Sequence, residues 1–240
     1  MNTSNMFLHT HPYEPFLFQD ATKLIVGTLP PPRFTTGDLK EGDVNFCYGS
    51  RDGQLWPILD RIFELNLDFE STEKAMRQRM DFLKERKIGI CDIVQSAERS
   101  KIDASDLGME NILLRDMLGY IKRYPKVDTL LFTGGNSKNG PEYFFRKYLK
   151  EHGISLEPVS NEVPRVHQFV VPCANLETSS KTIVKSKIKK ERIIKTVSLT
   201  APSGAANRAV GSLEKYKMMK DKNPEFNTID FRVLQYKEFF

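Results

Sequence analysis

Two acidic residues sit where acids are costly unless they are used. Asp92 interrupts the apolar run Lys87-Ile-Gly-Ile-Cys-Asp-Ile-Val94, and Asp52 lies in the polar turn Gly49-Ser-Arg-Asp-Gly53 between an aromatic stretch and an apolar one. A carboxylate at the end of a buried strand must be hydrogen-bonded, paired or employed chemically. Arg99 is its candidate partner. Facing a cavity, either acid would serve as a general base or would stabilise developing positive charge. The plainer alternatives are a turn residue or helix cap for Asp52 and a structural Asp92–Arg99 pair. Two further loops carry groups of interest. Thr133-Gly-Gly-Asn-Ser-Lys-Asn-Gly140 offers backbone donors and the Asn136 amide, but its spacing matches neither the P-loop nor the dinucleotide fingerprint. Thr200-Ala-Pro-Ser-Gly-Ala-Ala-Asn-Arg208 is a small-residue loop that would open a helix.

The elements that position these loops follow from hydrophobic patterning. Short β-branched runs at Lys23–Val26, Lys87–Val94, Val127–Phe132 and Arg192–Leu199 read as buried parallel strands, each ending in one of the loops above or in the proline triplet after Gly27. Helical spacing covers Gln54–Asn66, Ser71–Arg86, Ser105–Arg123 and Pro141–His152, and a turn-rich strand pair covers Ile154–Val171. The predicted architecture is α/β, a three-layer sandwich whose central, mostly parallel four-stranded sheet is flanked by helices. In such sheets ligands bind at the carboxyl ends of the strands. The proline-broken arm His11–Phe18 is expected to pack across the domain, and the segment after Tyr216 reads as a helix, a loop and a closing segment.

Length and composition set limits. The 240 residues suit one domain with a sizeable core, and 40% apolar with 28% charged residues is ordinary for a globular chain. No apolar run is long enough to cross a bilayer and the first residues lack a secretory pattern, which predicts a cytoplasmic protein. Cys47, Cys91 and Cys173 are odd in number and far apart, so neither a disulfide framework nor a zinc or iron–sulfur site is expected. His9 and His11 read as terminal histidines rather than metal ligands. No metal and no cofactor are expected. Net charge is +5, but Lys181 to Lys195 alone carries +6, leaving −1 for the rest. Concentrated basicity of this kind is the footprint of a polyanion contact, or else a solvated helix face. We read a basic helical segment over 179–192, with Lys185 and Lys189 on its outer face.

With these features in view, Gly27-Thr-Leu-Pro-Pro31, Tyr48-Gly49 and Leu55-Trp-Pro-Ile-Leu59 together resemble the first motif of the uracil-DNA glycosylase superfamily, nearest to its deoxyinosine (hypoxanthine) branch. Cys91-Asp-Ile-Val94 with Glu98-Arg99 and Asp103 resembles a second element, and Pro202-Ser-Gly204 with Asn207-Arg208 resembles the loop that enters the minor groove. The resemblance spans roughly Leu24 to Val210. It implies a DNA glycosylase that flips a deaminated or damaged base from double-stranded DNA and hydrolyses its N-glycosidic bond as a monomer. Gly27, Thr28, Leu29, Phe34, Tyr48 and Asn136 would form the base pocket, with Gly27 and Thr28 offering backbone donors. Pro202, Ser203, Gly204, Ala205, Asn207, Arg208, Lys185 and Lys189 would hold the DNA. Asp92 or Asp52 would position water. The departures are that Leu29 stands where many members carry a catalytic Asn or Asp, and that the branch's functional Asn falls at Gly53. Two other readings therefore stay open: a relative that binds DNA without cleaving it, and a hydrolase of small nucleosides.

Overall fold

The computed structural model describes residues 6–103, 105–172 and 191–240. In chain order its elements are β1 (Phe7–Thr10), β2 (Lys23–Val26), α1 (Arg33–Thr36), α2 (Leu55–Phe63), α3 (Glu73–Glu85), β3 (Ile88–Ile90), β4 (Val94–Arg99), β5 (Met109–Leu114), α4 (Met117–Arg123), β6 (Thr129–Phe132), α5 (Pro141–Glu151), β7 (Glu157–Ser160), β8 (Arg165–Pro172), β9 (Glu191–Ser198), α6 (Asn207–Gly211), α7 (Glu214–Lys222) and α8 (Thr228–Lys237). The basic helix read over 179–192, with Lys185 and Lys189, lies outside the described residues apart from its last two positions. Those two, Glu191 and Arg192, begin strand β9.

The main sheet has the order β3-β2-β6-β9-β8-β7. Its first four members are parallel to one another, while β8 runs antiparallel to β9 and β7 antiparallel to β8. The expectation of a four-stranded sheet is thus corrected to a six-stranded, mixed one. The strand pair read at Ile154–Val171 is what lengthens it. Alternating side chains divide the core into two layers. Leu24, Val26, Leu130 and Phe132 face Met117 and Ile121 of α4 and Phe145 and Leu149 of α5. Ile25, Leu131 and Val197 face Leu55 and Leu59 of α2, Leu83 of α3 and Tyr236 of α8. Among the described residues no helix is long and apolar enough to cross a membrane.

A second sheet, β1-β4-β5, is antiparallel. It replaces two expectations. The single strand Lys87–Val94 is broken after Ile90, and the predicted helix Ser105–Arg123 is instead a single 3₁₀ turn, strand β5 and helix α4. Because the four parallel strands share one direction, the loops after Val26, Ile90, Phe132 and Ser198 all emerge at the same edge. That edge carries the cavity described next.

Candidate active site

Asp92 follows β3 and is 7% exposed. Its Oδ1 accepts from the Gly27 backbone N–H and from the Tyr48 hydroxyl, both at 2.7 Å, and its Oδ2 lies 3.0 Å from His11 Nε2. The Tyr13 backbone N–H donates to His11 Nδ1 at 3.2 Å, so a neutral His11 carries its proton on Nε2 and donates it to Asp92. A carboxylate accepts at about four lone-pair positions. Three are filled, and the open one is on Oδ2.

This arrangement corrects the expected Asp92–Arg99 pair. Arg99 is buried at the far end of β4, where its Nε donates to His9 Nδ1 at 2.8 Å and its Nη1 to the Ser105 carbonyl at 2.6 Å. The histidines are likewise not loose terminal residues. His9 is fully buried in β1, and the backbone N–H of His11 donates to the Gln95 carbonyl. Arg115 pins the arm further through the Tyr13 carbonyl. The sequence signal for His11 was thin: a polar residue in a proline-rich arm.

Tyr48 is delivered by a strained turn. Its φ is +59°, left-handed for a non-glycine residue. The turn is closed by Val44 N–H donating to the Gly49 carbonyl and Gly49 N–H to the Phe46 carbonyl. A Cβ at Gly49 would lie 1.9 Å from the Val44 oxygen, so only glycine fits. Burial and then Asp92 push the Tyr48 phenol well up, which keeps it a donor. The loop is fixed beneath by Asp43, fully buried, which takes a bidentate pair of hydrogen bonds from Arg33 and single ones from the backbone N–H groups of Lys40 and Arg51. Burial alone would raise this carboxyl, but those donors bring it down to about 2.

The cavity above Asp92 has a volume of about 460 Å³. Thr28, Leu29, Tyr48, Asp52, Asp92, Pro202, Ser203, Gly204 and Ala205 all line it, so two strand-end loops, the Tyr48 turn and the 202–205 segment meet around one space. Asp52 is at the rim, 71% exposed, 3.3 Å from Arg33. Gly27 lies behind the wall with its N–H already given to Asp92, which corrects its expected role as a donor to a ligand. A Cβ there would meet the Tyr48 oxygen at 2.3 Å. Phe34 is buried against Tyr13 and Arg33 and does not line the cavity, and Asn136 is exposed on its loop away from it. Asn207 is occupied by Arg232 and Thr228, and Arg208 is exposed on α6. Residues that sequence reasoning missed, His11, Tyr13, Gln54 and Thr133, are also among the lining. Cys47 also lines it. Burial and then Asp92 push its thiol well up, so it is a neutral wall rather than a nucleophile. Among the described residues no three His, Cys, Asp or Glu side chains are placed to hold a metal.

A second carboxyl lies beside the cavity. Asp106 accepts from the Thr28 hydroxyl at 2.9 Å, and burial raises it to about 6 against the opposing influence of that hydrogen bond and of Arg99. A carboxyl raised on folding holds its proton more tightly in the native state, so its contribution to stability falls as pH rises from 3.8 towards about 6. His9, lowered to about 4 by burial and then Arg99, acts oppositely, since stability falls as pH drops from 6.5 towards that value. The two offset over one window and hide each other in the whole-protein curve. Asp106→Asn should expose the first: urea unfolding across the window should give a parent-minus-variant stability difference that declines with rising pH. A flat difference would show that Asp106 titrates alike folded and unfolded.

The fold and site together define a mixed α/β protein with a buried, hydrogen-bonded carboxylate at the strand-end edge of its sheet. No family model and no curated protein matches the chain. Among solved structures, the chain is similar to the solution NMR structure of a candidate uracil DNA glycosylase from Methanosarcina acetivorans, with 14% identity and a TM-score of 0.47 over 94% of this chain and 99% of that one.

Proposed function

We propose that the chain is a monofunctional DNA glycosylase that extrudes a deaminated base, of the uracil or hypoxanthine type, from double-stranded DNA and hydrolyses its N-glycosidic bond. The observation that carries this reading is the placement of Asp92. Its three donors fix it at the floor of a base-sized cavity walled by the small-residue loop 202–205. As the bond from the sugar carbon to the base nitrogen breaks, positive charge grows on the sugar. A fixed carboxylate stabilises that charge without reorganising. The open lone pair of Oδ2 orients water, whose oxygen bonds to the sugar carbon while a proton goes to the departing base. Asp92 is the catalytic residue in this scheme, and Asp52, 71% exposed at the rim and paired with Arg33, takes no part in the chemistry. The 202–205 loop with Arg208 faces the strand, and the basic segment with Lys185 and Lys189 supplies phosphate contacts.

A second reading, binding without cleavage, is favoured by Leu29, which puts an apolar side chain in the wall where the superfamily resemblance calls for an amide or acid. Alkali-revealed cleavage of oligonucleotides carrying uracil, hypoxanthine, xanthine or alkylated bases decides between the two. The glycosylase reading expects strand breaks at one or more of these bases. Intact lesions together with salt-dependent DNA binding would establish the binder instead.

A further inference from the structure

Gln54 stands at the start of α2, and its orientation is set from α8. Arg232 is fully buried there. It donates through Nε to the Ala201 carbonyl at 2.9 Å and through Nη2 to the Ser203 carbonyl at 3.1 Å. Its Nη1 donates to Asn207 Oδ1 at 2.9 Å and to Gln54 Oε1 at 3.0 Å. A guanidinium has donors only. The Gln54 atom against it must therefore be the oxygen, whichever way the amide is drawn. The Nε2 amino group then points away from Arg232 and has no acceptor among the described residues, and Gln54 is one of the residues that line the cavity. The backbone is equally fixed, since the Gln54 N–H donates to the Pro202 carbonyl at 2.9 Å and Gly53 bridges to Ser203.

We propose that Gln54 is the specificity-determining residue of the cavity, its Nε2 group donating to a carbonyl oxygen of the extruded base. The inference rests on the glycosylase reading and names the chemistry selected: bases with a keto oxygen at that edge, in preference to cytosine and adenine. An exocyclic amino group in the same place would bring hydrogens against hydrogens and leave donors on both sides unpaired, which a desolvated site rejects strongly. Arg232 acts through Gln54 and the 201–207 loop and is a positioning residue.

The test compares the parent with Gln54→Ala and Gln54→Glu. The glutamate keeps an acceptor for Arg232 and replaces the donor facing the cavity by an oxygen. Equilibrium dialysis of free bases should show the parent preferring hypoxanthine to adenine and uracil to cytosine by about tenfold. Gln54→Ala should abolish the preference and Gln54→Glu should reverse it, with affinity for a duplex containing an abasic site unchanged in both. Excision assays run alongside separate the two claims. A parent that excises bases with no dependence on Gln54 would overturn this inference and leave the glycosylase reading standing. A parent that excises nothing, yet whose keto preference disappears in both variants, would support the inference and remove the glycosylase reading. No preference in the parent, or loss of abasic-duplex binding in both variants, overturns it.

Discussion

Asp92→Asn should lower kcat for base excision by about 10²–10³ while leaving DNA affinity nearly unchanged, because the carboxylate charge acts on a transition state and not on the bound duplex. The substitution preserves shape, and one amide oxygen can still accept from Gly27 and Tyr48. The other position becomes an NH₂ group facing His11 Nε2–H, and the tautomer that would relieve the clash is opposed by the Tyr13 N–H on Nδ1. An added stability cost of about 1–3 kcal/mol is expected from that unpaired donor. Single-turnover rates and duplex affinities measured on the same preparation check both parts. An unaltered rate would remove Asp92 from the chemistry.

Asp43→Ala should be the most damaging change to stability away from the chemistry. The carboxylate is completely buried, its partner Arg33 is only 15% exposed, and four hydrogen bonds converge on it. Removing it leaves two backbone donors without their acceptor and Arg33 with only Ser50 and the exposed Asp52, at a cost of about 3–5 kcal/mol. The loop released is the one that holds Tyr48 in its left-handed conformation, so activity should fall with stability. Because the folded carboxyl is lowered to about 2, its contribution is present at neutral pH and disappears as pH falls from 3.8 towards that value. Denaturant unfolding of parent and variant at neutral and acid pH reads this directly. A difference below about 1 kcal/mol would place the pair with ordinary surface ion pairs.

The sequence was most informative where local chemistry decides the structure. The parallel strands at Lys23, Val127 and Arg192 announce themselves through β-branched runs cut off by glycine, threonine or proline, and the helix at Pro141 through its first-turn proline. Local propensity was less use at Met109–Leu114. The apolar spacing of Met-Glu-Asn-Ile-Leu-Leu suits a helix, and pairing with β4 makes it a strand. The partner of Asp92 was misread for a geometric reason. Arg99 is near in sequence, but β4 runs extended from Val94 and carries it about 3.3 Å further per residue. The true partner, His11, comes from 81 positions away. Gln54 looks like an ordinary residue before a helix until Arg232, 178 positions on, fixes which end of its amide is the oxygen.

Gly27, Tyr48, Asp92 and Pro202 were expected to gather around a single cavity at one rim of the sheet; Tyr48, Asp92 and Pro202 line that cavity, while Gly27 lies behind its wall against Asp92 and Tyr48. What those motifs could not supply was the set of hydrogen bonds that decides each group's role. Gly27 donates to Asp92 rather than to a ligand, and Phe34 supports the arm rather than stacking in the cavity.

The most direct test of the account is a structure of the Asp92→Asn variant bound to a duplex carrying a single uracil or hypoxanthine. The lesion base should lie out of the stack and within the 460 Å³ cavity, beside Tyr48 and the 202–205 loop, with its glycosidic bond facing residue 92. A lesion left stacked in the duplex with the cavity empty, or a duplex bound to another face, would contradict it.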